Sequence, residues 1–147
     1  MNPVPAAQRL FDEVTPGETL TPIAFPLTVY RLVVAAGGNR DFNAIHHNST
    51  FAQASGAPEM YANNQLLQGM WERVVRGYIG LGGRIHSLRG FRMHRFNCVG
   101  DTVSVQGEVQ RKWVDAGVNY VEIRLWSSNR DGVSVGPGCM VVSLPNH

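Results

Sequence analysis

Leu66-Leu67-Gln68-Gly69-Met70-Trp71-Glu72-Arg73-Val74-Val75-Arg76-Gly77-Tyr78-Ile79 sets two apolar side chains next to each other in nearly every turn. The stripe Leu66, Leu67, Met70, Trp71, Val74, Val75, Tyr78 and Ile79 recurs every four residues, which predicts a helix over about 64–79 with one wide face to bury. Gln65, Gln68, Glu72, Arg73 and Arg76 fill the opposite face, with Glu72 and Arg76 at the favourable i, i+4 spacing. Gly69 inside this helix costs about 1 kcal/mol relative to alanine. Such a glycine often marks close approach to a sheet.

Beyond this helix, after Gly82 and Gly83, the apolar period drops to two. Phe91 and Met93 alternate with Arg92 and His94, as Val103, Val105 and Val109 do with polar residues; Val121, Ile123 and Leu125 do so again, and Cys139 to Leu144 is a short apolar run. Four strands are expected. Asp115 to Gly117 and Asp131 with Gly132 have hairpin-turn chemistry, so the strands should be largely antiparallel. Before the helix, residues 18–27 alternate loosely, but Pro22 and Pro26 remove ladder donors and confine any strand to an edge. Thr28 caps a short helix through Val29, Leu32, Val33 and Ala36, stopped by Gly37 and Gly38. Asn48 or Ser49 can cap a second one through Phe51 and Ala54, ended by Gly56. This order gives an α+β fold: one domain over residues 1–147, an antiparallel sheet wrapped around one long central helix.

Composition narrows the function. At 147 residues, 44% hydrophobic and 16% charged, the chain reads as an ordinary globular domain, not a disordered or coiled-coil one. No apolar run has the length of a membrane span, and Met1 to Arg9 lacks the order of a signal peptide, so a cytosolic location is expected. Cys98 and Cys139 are too few and too far apart for a disulfide framework or a structural zinc site, and both read as small core residues. A formal charge of +2 is too small to imply nucleic acid.

The segment Arg40-Asp41-Phe42-Asn43-Ala44-Ile45-His46-His47 falls between the two short helices. A carboxylate and an imidazole five positions apart can supply a base and an acid to one bound water. From the motif alone, an Asx turn at Asp41 and Asn43 is the commoner meaning. His47 reads as a solvated neighbour, and His86 and His94 as strand residues without chemistry. Arg84, Arg89, Arg92 and Arg95 form the densest basic stretch. Arginine's fork suits phosphate, but a solvated strand face is the safer reading. Met70 and Trp71 are more often core than the lining of an acyl tunnel.

With this order of elements, the chain resembles the MaoC-like (R)-specific enoyl-CoA hydratases and 3-hydroxyacyl dehydratases of hotdog fold, over about Gly17 to Leu144. Their pattern runs Gly, Asp, any residue, Asn, Pro, aliphatic, His; Asp41, Asn43, Ile45 and His46 keep it, while Arg40 and Ala44 replace the glycine and the proline. A second landmark, a His-Gly pair whose backbone amide faces the thioester oxygen, corresponds to Asn63 and Asn64. Arg40-Asp41-Phe42, His46-His47 and the asparagine before the helix also look similar to a sub-branch acting on steroid side-chain thioesters.

The resemblance implies a hydro-lyase acting on a 2-enoyl or 3-hydroxyacyl thioester of coenzyme A or a carrier protein. Asp41 and His46 would then be catalytic, and Asn43, Asn63 and Asn64 would position substrate and enolate oxygen. Arg89 and Arg92 would be the candidate coenzyme A phosphate handle. No metal or redox cofactor is implied, nor any nucleic acid or membrane partner. A homodimer or hotdog heterodimer is expected, joined away from the proline-bearing edge. Two rivals stay open. One is a hotdog thioesterase, for which Glu72 is the only helix carboxylate and faces away from the stripe; the other is a non-catalytic acyl-binding subunit.

Overall fold

A computed structural model describes residues 7–146. The helix read from the apolar stripe is α3, Asn64–Ile79. Asn63 caps it by accepting the Leu66 N–H on its side-chain oxygen at 2.9 Å. At the other end Gly80 turns at φ 68°, and the Arg76 guanidinium donates to the carbonyls of Gly80 and Gly83. Leu67, Met70, Trp71, Val74, Val75 and Ile79 are buried.

They face a five-stranded antiparallel sheet of order β1-β3-β4-β5-β2. Its strands are β1 Ile23–Pro26, β2 Arg84–Arg89, β3 Thr102–Asp115, β4 Val118–Asn129 and β5 Gly132–Ser143. Period-two alternation points Val103, Val105, Val109, Val121, Ile123 and Leu125 inward onto α3, all at most 1% exposed. Trp71 is fully buried and satisfies its indole N–H on the Ser127 hydroxyl at 2.7 Å. Gly136 makes room for that ring: at φ +79° it bends β5, and a Cβ there would stand 2.9 Å from Trp71.

The prolines do fall at an edge: Pro26 ends β1 and Pro22 stands just before it, and among the described residues β1 pairs with β3 alone. Both hairpin turns fall where Asp115 to Gly117 and Asp131 with Gly132 suggested. The strand expected at Phe91 to His94 is displaced. The chain pairs with β5 earlier, at β2, where a bulge between Ile85 and Ser87 breaks the alternation and hides the strand from a period-two reading. Gly90, at φ +67° and close against Gly138, ends it. Phe91 and Met93 still pack on the core, Met93 through an isolated bridge to Val135, and His94 lies outside any strand. The last strand starts at Gly132 and not at Cys139. Gly69 does not approach the sheet: it is exposed, and a Cβ there would meet nothing within 4 Å. Cys98 is buried, whereas Cys139 is only partly so.

Two further helices, α1 Val29–Gly38 and α2 Ser49–Ala54, precede α3. Thr28 caps α1 through the Arg31 N–H, and Asn48 caps α2 through the Phe51 N–H. The segment between them carries the candidate chemistry.

Candidate active site

The end of α1 aims Asp41. Asp41 N–H donates to the Ala36 carbonyl at 2.9 Å and Arg40 N–H to Gly37 at 3.1 Å, the paired bonds of a Schellman stop. That stop needs a left-handed residue between helix and loop, and Arg40 supplies it at φ 57°. This is the place where the resembled pattern has glycine, so its glycine reads as a helix-ending residue.

Asn43 then accepts the Ile45 N–H on its side-chain oxygen at 3.2 Å and caps the short 3-10 turn Ala44–His46. The turn drives His46 inward until it is 6% exposed, while Asp41 keeps 28% of its side chain open. His46 Nε2 lies 3.0 Å from Asp41 Oδ2. On its other side His46 Nδ1 lies 2.8 Å from the Tyr61 carbonyl oxygen. A carbonyl only accepts, so Nδ1 carries the hydrogen, and in the neutral ring Nε2 is an acceptor. His46 Nε2 and Asp41 Oδ2 thus face each other at hydrogen-bond distance, with the imidazole's orientation set from behind by the Tyr61 carbonyl.

Tyr61 fixes this arrangement from α3's approach segment. Its N–H donates to Ile45, it bridges Cys98, and its ring meets His46 edge-on with centroids 5.4 Å apart. The phenol is held above its usual range, first by burial and then by the charges of Cys98 and Asp41, so it stays protonated beside the pair. Nothing in the sequence pointed to Tyr61, because its hold on His46 is a backbone carbonyl, which any residue carries.

Two positions after Tyr61, Asn63 and Asn64 stand at the start of α3. Asn63 is 4% exposed; its side-chain oxygen serves Leu66 N–H and, at 3.5 Å, the Asn39 amide, while its Nδ2 is buried without a partner. Asn63 takes up Leu66 N–H with its side chain and Leu67 N–H with its carbonyl. The helix has no internal acceptor for the N–H groups of Asn64 and Gln65, which lie at its positive end.

Of the other residues singled out, Asn43 serves the loop as a cap, and His47 is exposed, with Nε2 3.5 Å from the Phe42 carbonyl. Arg89 ends β2 and Arg92 follows it, both exposed, at the sheet edge opposite β1. The structure does not bring them to Asp41 and His46 within this chain. Glu72 lies on the exposed side of α3, bonded to Gln68. Among the described residues no three His, Cys, Asp or Glu side chains gather as a metal site, and no helix is long and apolar enough to cross a membrane.

No protein-family model and no curated protein matches the sequence. Solved structures do match in shape. A chain of the ChsH1-ChsH2 complex from Mycobacterium tuberculosis superposes with TM-score 0.80 at 25% identity, covering 89% of this chain and 98% of that one. The R-hydratase PhaJ1 from Pseudomonas aeruginosa gives 0.83 at 20% identity, covering 94% and 86%. A MaoC-like dehydratase from Rhodospirillum rubrum gives 0.75 at 16% identity, covering 93% and 97%. With its sheet order and its single enclosed helix, the chain has the hotdog fold of the MaoC-like hydratases and dehydratases.

Proposed function

We propose that the protein is a hydro-lyase that adds water to a 2-enoyl thioester, or removes it from the 3-hydroxyacyl product. The observation that carries this reading is the Asp41–His46 contact at 3.0 Å, with His46 fixed from behind by Tyr61 and the open amino end of α3 nearby. Asp41 accepts a hydrogen bond from the water and His46 shares it. The water oxygen attacks the β-carbon, and its proton passes through the pair to the α-carbon. One hydrogen and one hydroxyl thus add across the double bond, and the pair regains its starting proton count. The N–H of Asn64, at the positive end of α3, stabilises the negative charge that collects on the thioester oxygen between these events. The reaction needs no oxidant, reductant or metal.

A second hotdog unit, identical or not, completes the reading. It joins through β2, the free edge without prolines, and sets Arg89 and Arg92 at the junction, where an anionic coenzyme A or carrier phosphate can meet them. Light scattering is expected to show at least a dimer; a stable, active monomer contradicts this. The thioesterase alternative lacks a helix carboxylate turned toward the pair, because Glu72 faces solvent. Incubation with trans-2-enoyl-CoA and saturated acyl-CoA thioesters separates the readings. Hydration removes the conjugated enoyl absorbance without releasing thiol; thiol release would favour the esterase, and neither signal would favour a non-catalytic subunit.

A further inference from the structure

Asn63 caps α3 with only one end of its side chain. Leu66 N–H donates to it at 2.9 Å, so the atom that faces the helix is the amide oxygen, and Nδ2 is turned away from that N–H. There, in a residue only 4% exposed, Nδ2 has no partner among the described residues. A buried donor left unpaired lowers stability, and capping does not call for one. Aspartate and serine accept the same N–H as well as asparagine does, and aspartate would also gain from the positive end of the helix. Neither would bury an unmatched amide. Capping therefore accounts for Oδ1 and leaves Nδ2 without a role.

Asn63 stands where the supports of the candidate pair meet. Tyr61, two residues before it, holds His46 Nδ1 on its carbonyl; Asn39, whose amide reaches Asn63 Oδ1 at 3.5 Å, stands two residues before Asp41. Two residues span at most about 7 Å of chain, so Asn63 is one short link from the support of each member. On its other side are the N–H groups of Asn64 and Gln65, which α3 leaves without internal acceptors. Backbone and side-chain donors thus gather at one positive helix end beside the pair. Their fitting partner is an oxygen that gains negative charge during a reaction. Aspartate at 63 would cap equally well but would set its own charge against that oxygen, which gives asparagine the advantage here.

We propose that Asn63 Nδ2 donates a hydrogen bond to the thioester oxygen of the substrate, beside the Asn64 N–H. The chain then carries a side-chain donor where the resembled pattern has histidine. Thioester and enolate both accept from Nδ2, the enolate more strongly because charge collects on its oxygen, and no proton leaves the amide. This inference rests on the hydratase reading for the identity of the acceptor.

The test uses Asn63→Asp and Asn63→Ser, which keep an oxygen for Leu66 N–H and remove Nδ2. Hydration of crotonyl-CoA, thermal unfolding and the ultraviolet enolate band of bound acetoacetyl-CoA are measured on the full chain. Donors at the thioester oxygen stabilise that enolate, so it forms at lower pH when bound than when free. Both variants are expected to melt as the wild type does, and kcat should fall by roughly 10²–10³-fold with KM changed far less. The enolate band should need a higher pH, most of all in Asn63→Asp, whose charge opposes it. Wild-type turnover in both variants, with the band unmoved, overturns the donor and leaves the hydratase reading standing. A lowered melting curve with unchanged kcat per folded molecule marks a cap alone and overturns it too. An enolate band that depends on Asn63, in a protein that hydrates no thioester, supports the donor and removes the hydratase reading instead.

Discussion

The two ends of α3 each hold a carboxylate at nearly the same exposure, Asp41 at 28% near the amino end and Glu18 at 25% near the carboxyl end. Their partners differ. Glu18 takes Arg9 on both oxygens, at 2.8 and 2.7 Å, and also accepts the Tyr78 hydroxyl. Asp41 meets His46 through one oxygen, and no other side chain among the described residues bonds to it. A carboxylate whose two oxygens are both held by protein donors is a clamp, fastening the amino-terminal segment to the helix. One with room for another donor, facing an imidazole whose tautomer is fixed, can work on a bound molecule. Exposure alone would not have told the two apart; saturation does.

Replacing each carboxylate by its amide should separate the two ends cleanly. Asp41→Asn removes the base while keeping the shape, and hydration is expected to fall by roughly 10²–10⁴-fold with the melting curve unchanged. His46→Ala should lower the rate at least as far. Near-normal turnover in either variant, followed as loss of enoyl absorbance, would end the acid–base assignment. Glu18→Gln should do the reverse: about 2 kcal/mol lost in urea unfolding, because charge-assisted bonds to Arg9 and Tyr78 weaken, with kcat/KM unmoved. A rate loss equal to that of Asp41→Asn would mean that the two ends are not independent.

Much of this division was legible in the sequence, for unequal reasons. The α3 stripe, the hairpin turns and the caps Thr28 and Asn48 carry local signals, since periodicity and turn chemistry are properties of a few adjacent residues. Asp41 and His46 were legible as a pair only through the resembled pattern, since their spacing alone favours an Asx turn; the contact at 3.0 Å is made by the helix stop and the Asn43 cap on either side of them. The bulge that hides β2 is set by its partner strand, and the Tyr61 carbonyl and the Arg9–Glu18–Tyr78 clamp exist only once distant segments meet. None of those leaves a mark on neighbouring residues. Gly69 suggested close approach to the sheet, but a Cβ there would meet nothing within 4 Å, because a lone helical glycine does not say which way its bare side faces.

The clamp also sets a pH dependence. Burial alone would raise the Glu18 carboxyl, but the Tyr78 hydroxyl and the Arg9 guanidinium outweigh it and leave the group below its usual range. The same contact raises Tyr78, through burial first and then through its bond to Glu18. A carboxyl depressed in the folded state contributes stability that is complete above the ordinary glutamate range and is lost as pH falls through the folded value. Unfolding followed from neutral pH downward should therefore show a loss in the wild type that Glu18→Gln flattens. Parallel curves for the two proteins would show that the carboxylate's partners do not lower it.

The smallest expected effect returns to the amino end. Arg40 occupies a left-handed position at φ 57° that a side chain disfavours by about 1 kcal/mol and glycine adopts freely. Arg40→Gly should therefore raise unfolding stability by up to about 1 kcal/mol, reduced by glycine's larger entropy in the unfolded chain. Because the helix stop is made by backbone bonds, Asp41 N–H to Ala36 and residue 40 N–H to Gly37, glycine keeps the aim of Asp41. Hydration of a thioester without phosphates, such as an N-acetylcysteamine enoyl ester, should then continue at the wild-type rate. A stabilised variant that hydrates poorly would mean that the arginine side chain, and not only its backbone, holds the loop in its working shape.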